Sequence, residues 1–188
     1  MTPYLSGDGK QPRDERQARR NIEVMKRLLI LRHAKSSWAD ASLDDWQRPL
    51  NERGLRDAPR VGDLLRDRSL VPDLIITSDA VRARTTAQAV AETAGYARDL
   101  VVEPSLYHAT PDEVIAVLNS VPDEARSVMI VGHNPGLEGV VQQLTGEYHG
   151  LATAALVQLA VPIESWSELG GTTAASVVDT WQPKDSPE

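Results

Sequence analysis

Short apolar segments alternate with helical patterns along most of this chain. A run of about four to eight apolar residues between turn residues is typical of a buried strand, whereas apolar residues three and four positions apart are typical of a helix with one buried face. Strands and helices that alternate in this way are joined by crossover connections, which give a mostly parallel sheet with helices on both faces. The sequence therefore predicts an α/β fold, a three-layer α/β/α sandwich with a mostly parallel central sheet.

The pattern assigns five strands and four helices. Strands are predicted at residues 28–31, 74–77, 128–131, 154–161 and 174–181. Helices are predicted at residues 52–68, at 79–94, from 111 onward and from about 134 to 144. Little helical pattern separates the last two strands, so we expect them to pair with each other and complete the sheet.

Capping residues predict where two of the helices begin. Asn51 should cap the first helix, and Thr110 should cap the third, with Pro111 at its first position. The buried face of the first helix should carry the apolar side chains of Leu55, Val61, Leu64 and Leu65.

The 188 residues suffice for one domain with a single core. Residues 1–24 combine Gly, Pro, Gln and many charges without apolar periodicity, which predicts a disordered or non-essential tail. A basic arm with a binding role is the alternative for this segment. We expect the domain to span residues 25–182 and residues 183–188 to form a flexible end.

Composition excludes several classes of function. The chain has no cysteine, which excludes disulfides, thiolate metal sites and a cysteine nucleophile. A formal net charge of -7 argues against nucleic acid as a general partner. No apolar run approaches the roughly 20 residues of a membrane helix, and the N-terminus lacks the apolar middle of a signal peptide. We therefore expect a cytoplasmic protein with no membrane partner.

Two cationic residues follow the first predicted strand directly. Arg32 and His33 come after the apolar run 28–31, which places them at the carboxyl edge of the sheet, where open α/β folds bind ligands. Considered alone, the pair is more typical of a loop histidine beside a surface charge.

Two further predicted strands are also followed by residues that can bind an anion. Strand 74–77 is followed by Ser78 and then by Arg82 in the opening turns of a helix, where backbone amides and the helix dipole favour an anion. Strand 128–131 is followed by Gly and then His133. An exposed arginine and a helix-capping histidine are the alternative interpretations, but three strands that end alike favour one shared site.

The three motifs together resemble the histidine phosphatase superfamily, also called phosphoglycerate mutase-like. The resemblance rests on Arg32-His33-Ala34, Ser78-x-x-x-Arg82-Ala83-x-x-Thr86 and Gly132-His133-Asn134, and it spans residues 27 to about 180. Within the superfamily, the chain resembles the SixA branch, which dephosphorylates phosphohistidine on proteins. This resemblance rests on the small size of the chain and on the segment Arg48-Pro49-Leu50-Asn51-x-Arg53-Gly54.

The resemblance implies a phosphatase mechanism that needs no metal and no cofactor. His33 would be the nucleophile, phosphorylated and then hydrolysed, and neutral imidazole suits this part near neutral pH. Arg32, Arg82 and His133 would hold the oxygens of the phosphoryl group, because planar arginine forks neutralise their charge.

A proton donor for the leaving group is harder to assign. By the spacing typical of the superfamily, His108 takes the position of the carboxylic acid that would donate this proton. Glu103 is a second candidate. His108 is alternatively a plain loop residue. An alkoxide leaving group needs a proton donor, whereas the imidazole of phosphohistidine is already a good leaving group. A missing acid would therefore favour a phosphohistidine substrate.

Three residues are further candidates for substrate binding: Arg48, Lys35 and Asn134. Arg48 could reach the phosphate, or it could pair with Asp44 or Asp45 and shape the loop, and the second interpretation is slightly favoured. Lys35 lies beside the nucleophile and could tune the field of the pocket.

The sequence therefore predicts a phosphohistidine phosphatase whose partner is a phosphorylated protein. A phosphomonoesterase that acts on small phosphate esters, with His108 or Glu103 as its acid, is the first alternative. A catalytically inactive phosphoprotein-binding module is the second alternative. The presence of all four predicted catalytic residues, Arg32, His33, Arg82 and His133, argues against it.

Overall fold

A six-stranded sheet forms the centre of the protein. The computed structural model describes residues 25–171 and 173–183. The strands are β1 (Met25–Arg32), β2 (Leu74–Thr77), β3 (Val101–Val102), β4 (Ser127–Gly132), β5 (Leu156–Pro162) and β6 (Ser176–Trp181). Their order in the sheet is β3-β2-β4-β1-β5-β6. The pairs β1/β4, β4/β2 and β2/β3 are parallel, and the pairs β1/β5 and β5/β6 are antiparallel.

Within the described residues, four α-helices cover the two faces of the sheet. They are α1 (Glu52–Asp67), α2 (Val81–Ala94), α3 (Pro111–Asn119) and α4 (Gly136–Thr145). Alternate side chains of a strand point to opposite faces, so Leu29 and Leu31 of β1 pack with α1 and α2, whereas Leu28 and Ile30 pack with α3 and α4. The predicted α/β fold with helices on both faces is confirmed.

The predicted helix caps are also confirmed. The side chain of Asn51 accepts a hydrogen bond from the backbone N–H of Gly54 at 2.9 Å. Thr110 and Glu113 form a reciprocal capping box at the start of α3, with Pro111 at the first position. The first four N–H groups of a helix lack partners within it, and these side chains satisfy some of them.

Leu55 was wrongly predicted to lie in the buried face of α1. It is 55% exposed, whereas Val61 and Leu65 are fully buried. The buried face contains Gly54 at the position preceding Leu55, because the helix packs closely against the backbone of Lys35 there. One residue further along a helix lies about 100° around its axis, which turns Leu55 to solvent.

The start of β5 differs from the sequence prediction, and one strand was missed. Ala154 lies outside β5, which begins at Leu156, because Ala154 has a left-handed φ of 61°. Strand β3 has two residues, too few to produce a recognisable pattern. The predicted tail 1–24 and most of the predicted flexible end 183–188 lie outside the described residues.

Candidate active site

Three predicted site residues meet at the carboxyl edge of the sheet. His33 follows β1, Arg82 lies in the first turn of α2, and His133 follows β4. The Nε of Arg82 lies 3.3 Å from Nε2 of His33, and its Nη2 lies 3.5 Å from Nδ1 of His133. The two imidazole rings have centroids 5.0 Å apart. All three residues are at most 8% exposed, so the structure forms a compact, largely dry cluster.

Backbone and hydroxyl contacts fix the segment that carries His33. The backbone N–H of His33 donates to the carbonyl of Gly132 at 3.1 Å, which ties it to the end of β4. The next N–H, that of Ala34, donates to Thr86 Oγ1 at 3.0 Å. Thr86 in turn donates to the carbonyl of Arg82 at 2.6 Å. The nucleophile candidate and the arginine beside it are therefore held by one set of contacts.

The hydrogen bonds of His33 determine its tautomer. Its Nδ1 lies 2.7 Å from the carbonyl oxygen of Ala34, which can only accept, so Nδ1 carries the proton. Nε2 then has a free lone pair, and it accepts the hydrogen bond from Arg82. Burial, together with the nearby charges of Arg82 and Arg32, lowers the pKa of His33 to about 4, although the bond to Ala34 opposes the shift.

His133 is held in the opposite tautomer. Its Nδ1 faces the guanidinium of Arg82, which can only donate, so Nε2 carries the proton and donates to Ser78 Oγ at 3.0 Å. Burial is the main cause that lowers the pKa of His133 to about 3, and His33 and Arg82 add to it. Both histidines are therefore neutral at physiological pH.

Arg32 lies at the same edge with unused hydrogen-bonding capacity. Its Nη1 donates to the carbonyl of Leu151 at 2.7 Å. Its Nε is buried and has no hydrogen-bond partner among the described residues. Desolvation lowers the pKa of Arg32, and the charge of Glu138 opposes the shift. A buried N–H without a partner is costly, and a bound anion would satisfy it.

The amide nitrogen of Asn134, a candidate for substrate binding, contacts the protein's own chain. Its Nδ2 donates to Glu138 at 2.6 Å and to the carbonyl of Leu151 at 2.9 Å. Leu151 is the same residue that accepts from Arg32. Asn134 therefore fixes the segment that positions Arg32.

Arg48 shapes the loop between β1 and α1, as the sequence slightly favoured. It donates to Ser36 Oγ at 2.6 Å, to the Ser37 carbonyl at 2.9 Å and to Asp45 Oδ1 at 2.6 Å. Its guanidinium also stacks over the ring of Trp38, 3.2 Å from the centroid. Lys35 is exposed.

The two candidates for the proton donor lie in different places. His108 is at the mouth of the cluster, with its side chain 65% exposed and its Nε2 3.7 Å from Asp45 Oδ2. Glu103 accepts from the backbone N–H of Ser105 at 3.0 Å and so caps the 3-10 turn at Pro104–Leu106. The structure does not bring Glu103 to the cluster.

Sequence reasoning missed Asp45 and Tyr107 as members of the site. Asp45 Oδ2 accepts from Arg82 Nη2 at 2.9 Å and from the Tyr107 hydroxyl at 2.8 Å. Desolvation would raise the pKa of Asp45, but hydrogen bonds from Tyr107 and Arg48 and the charge of Arg82 hold it well below its usual range. The spacing of Asp45 and Arg48, three residues apart in one turn, was the available signal for their pairing. No local pattern linked Tyr107 to Asp45.

Within the described segments, no group of three or more His, Asp or Glu side chains has an arrangement that could hold a metal ion. None of the helices in these segments is both long and apolar enough to cross a membrane.

Comparisons with known proteins point to one family. A profile of the histidine phosphatase superfamily (branch 1) matches residues 28–109. An uncharacterized chloroplastic protein of Arabidopsis thaliana is 34% identical over 158 residues, which cover 79% of this chain and 72% of that protein.

Two solved structures are similar over nearly their whole length. A proposed phosphohistidine phosphatase, SixA, from Agrobacterium tumefaciens has a TM-score of 0.70 and 31% identity, with 84% of this chain and 99% of that chain covered. A proposed SixA from Nakamurella multipartitia has a TM-score of 0.76 and 25% identity, with 85% and 97% covered.

Proposed function

This chain belongs to the histidine phosphatase superfamily, in its SixA-like branch, and from that premise we propose that it hydrolyses phosphohistidine through a covalent phosphate on Nε2 of His33. The phosphohistidine would be carried by a protein. The observation that supports the proposal most strongly is the tautomer of His33, with its free Nε2 lone pair directed at Arg82.

A neutral imidazole with a fixed tautomer is a competent nucleophile at phosphorus. The bond from Nδ1 to Ala34 orients the ring, and the lowered pKa keeps Nε2 unprotonated at neutral pH. Attack by Nε2 forms its bond to phosphorus while the bond between phosphorus and the substrate's imidazole nitrogen breaks, and the proton of His33 stays on Nδ1. The phosphorylated ring is then cationic, and the carbonyl of Ala34 stabilises it through the same hydrogen bond.

The charge on the phosphoryl oxygens would be neutralised by Arg32 and Arg82. Phosphoryl transfer depends mainly on positioning and electrostatic stabilisation. Arg82 already contacts the nucleophilic nitrogen, and Arg32 has a buried Nε without a partner among the described residues. His133 would become a donor if its proton moved from Nε2 to Nδ1, and Ser78 can donate to Nε2 in that tautomer.

The environment of the carboxylates favours a substrate that needs no acid. Asp45 is the carboxylate in contact with Arg82, and its low pKa keeps it deprotonated. Glu103 caps a turn instead. A phosphohistidine ring with a proton on its second nitrogen leaves as neutral imidazole, whereas an alkoxide would need a proton donor. Water then attacks phosphorus, the P–Nε2 bond breaks, and phosphate is released with His33 neutral again.

One observation favours a phosphomonoesterase as the second candidate. His108 lies at the mouth of the cluster, 3.7 Å from Asp45, and its ring stacks at 6.3 Å from that of His133. A protonated His108 in this position could supply a proton to an alkoxide.

Parallel assays separate the two candidates. Phosphate release is measured from a phosphohistidine-bearing protein and from an alkyl phosphate, with wild type, His33→Asn and His108→Ala. We expect turnover of the phosphohistidine protein alone, lost in His33→Asn and retained in His108→Ala. Comparable turnover of the alkyl phosphate that depends on His108 would refute the phosphohistidine assignment and favour the esterase.

A further inference from the structure

The carboxylate of Asp45 occupies the face of Arg82 that an anion would use. Arg82 Nη2 donates to Asp45 Oδ2 at 2.9 Å, and Nη1 donates to the backbone carbonyl of Asp45 at 2.6 Å. Since Nε donates to His33, all three guanidinium nitrogens of Arg82 are engaged in this structure. Nη2 carries two N–H groups, of which one donates to Asp45 and the other faces Nδ1 of His133 at 3.5 Å. A phosphoryl oxygen that bonds to Nη2 therefore replaces the Asp45 carboxylate or lies beside its negative charge.

The contacts around Asp45 hold its carboxylate in this position. Tyr107 donates to Oδ2 at 2.8 Å, and Arg48 donates to Oδ1 at 2.6 Å. The loop that carries Asp45 is closed at its base by an isolated bridge between Ser36 and Leu50. The Asp45 side chain is nevertheless 38% exposed, so it has solvent on one side into which it can withdraw.

We propose that Asp45 is a specificity-determining residue that competes with phosphate for Arg82. The inference rests on the proposed function in one respect, since it requires that Arg82 binds the phosphoryl group. Asp45 stands where the ligand's oxygen would be, and it carries the same sign of charge. The predicted position of the phosphoryl group is thus partly filled by a group of the protein itself.

This competition affects free phosphate more than a phosphoprotein. A phosphorylated protein can recover the cost of displacing Asp45 through contacts outside the phosphate site. Inorganic phosphate has no such contacts, so the full cost reduces its affinity. Asp45 therefore weakens binding of the product and of free phosphate in the medium.

The test is the affinity for inorganic phosphate, measured by titration calorimetry with the purified protein at neutral pH. Asp45→Asn removes the competing charge at nearly constant volume. We expect its dissociation constant for phosphate to fall about tenfold, the change that corresponds to losing one charge-assisted contact with Arg82. Asp44→Asn is the matched control, because Asp44 is the exposed neighbour and carries the same charge; its affinity for phosphate should change less than about twofold.

A second variant leaves the Asp45 charge in place. Tyr107→Phe removes one of the donors that hold Oδ2. We expect phosphate to bind about two- to threefold more tightly to this variant, and inhibition of turnover by added phosphate to strengthen in parallel. Thermal melting of each variant shows whether it is folded at the assay temperature.

The outcomes separate this inference from the proposed function. Tighter phosphate binding in Asp45→Asn but not in Asp44→Asn supports competition. Unchanged or weaker binding in Asp45→Asn and Tyr107→Phe would overturn it, even if the wild type hydrolyses phosphohistidine. If the wild type neither binds phosphate nor hydrolyses phosphohistidine, and the variants also do neither, the proposed function and the inference are both contradicted.

Discussion

Acidification from pH 7 to pH 4 should destabilise the folded protein through the titration of His33. The pKa of His33 is about 4 in the folded state, against an ordinary value of 6.5, chiefly because burial disfavours the charged ring. Between these two values the unfolded chain binds the proton and the folded chain does not. Stability from this residue is therefore complete above pH 6.5 and is lost as the pH falls toward 4.

The magnitude follows from the two pKa values. Integration of the proton-binding difference from pH 7 to pH 4 gives about 3 kcal/mol lost from the free energy of unfolding.

The same residue should set the acid limb of activity. Because Nε2 must be unprotonated to attack, kcat/KM, which reports the pKa values of the free enzyme, should not decline through protonation of His33 until the pH approaches 4.

The assay is urea unfolding at pH 7 and pH 4 for wild type and His33→Asn. Asparagine does not titrate, and its amide can keep the hydrogen bond to Ala34. His133 titrates in both proteins, and its pKa is lowered chiefly by burial, so the difference between them reports mainly His33. We expect the wild type to lose about 3 kcal/mol more than the variant. Equal losses would show that His33 is not buried in its neutral form and would refute the reasoning.

Two further substitutions test the frame around the cluster. Gly54→Ala adds a Cβ that would overlap the carbonyl oxygen of Lys35, so the free energy of unfolding should fall by about 2 kcal/mol. Gly170→Ala is the control, because its Cβ meets no atom within 4 Å and its effect on stability should be nearly neutral. Equal melting temperatures of the two variants would contradict the close packing at Gly54. Ser78→Ala removes the hydroxyl that bonds to His133 Nε2 at 3.0 Å, and kcat should fall about tenfold with little change in KM; unchanged kcat would show that His133 needs no fixed tautomer.

The fold was predictable because its signals are local and repeated. Apolar runs such as 74–77 and 128–131 match the observed strands closely, and Asn51 and Thr110 cap helices as predicted. Leu55 was mispredicted because periodicity alone does not reveal the close approach of Gly54 to a neighbouring backbone.

The site was predictable only where residues end strands or open helices. Arg32, His33, Arg82 and His133 meet because parallel strands bring their carboxyl ends to one edge. Asp45 reaches this edge from a short 3-10 turn in the loop between β1 and α1. It lies 37 residues before Arg82 in the sequence, and no periodic pattern predicts such a contact. The roles of these residues in catalysis stay predictions until kinetics test them.

Trapping of the phosphorylated enzyme tests the central claim most directly. Wild type and His33→Asn are mixed with a phosphohistidine-bearing protein, quenched rapidly in alkali, where phosphohistidine survives, and examined by mass spectrometry of their peptides. The account predicts one phosphoryl group on His33 in the wild type, no phosphorylated enzyme in His33→Asn, and loss of turnover in that variant. Phosphate on a different residue, or full turnover in His33→Asn, would contradict it.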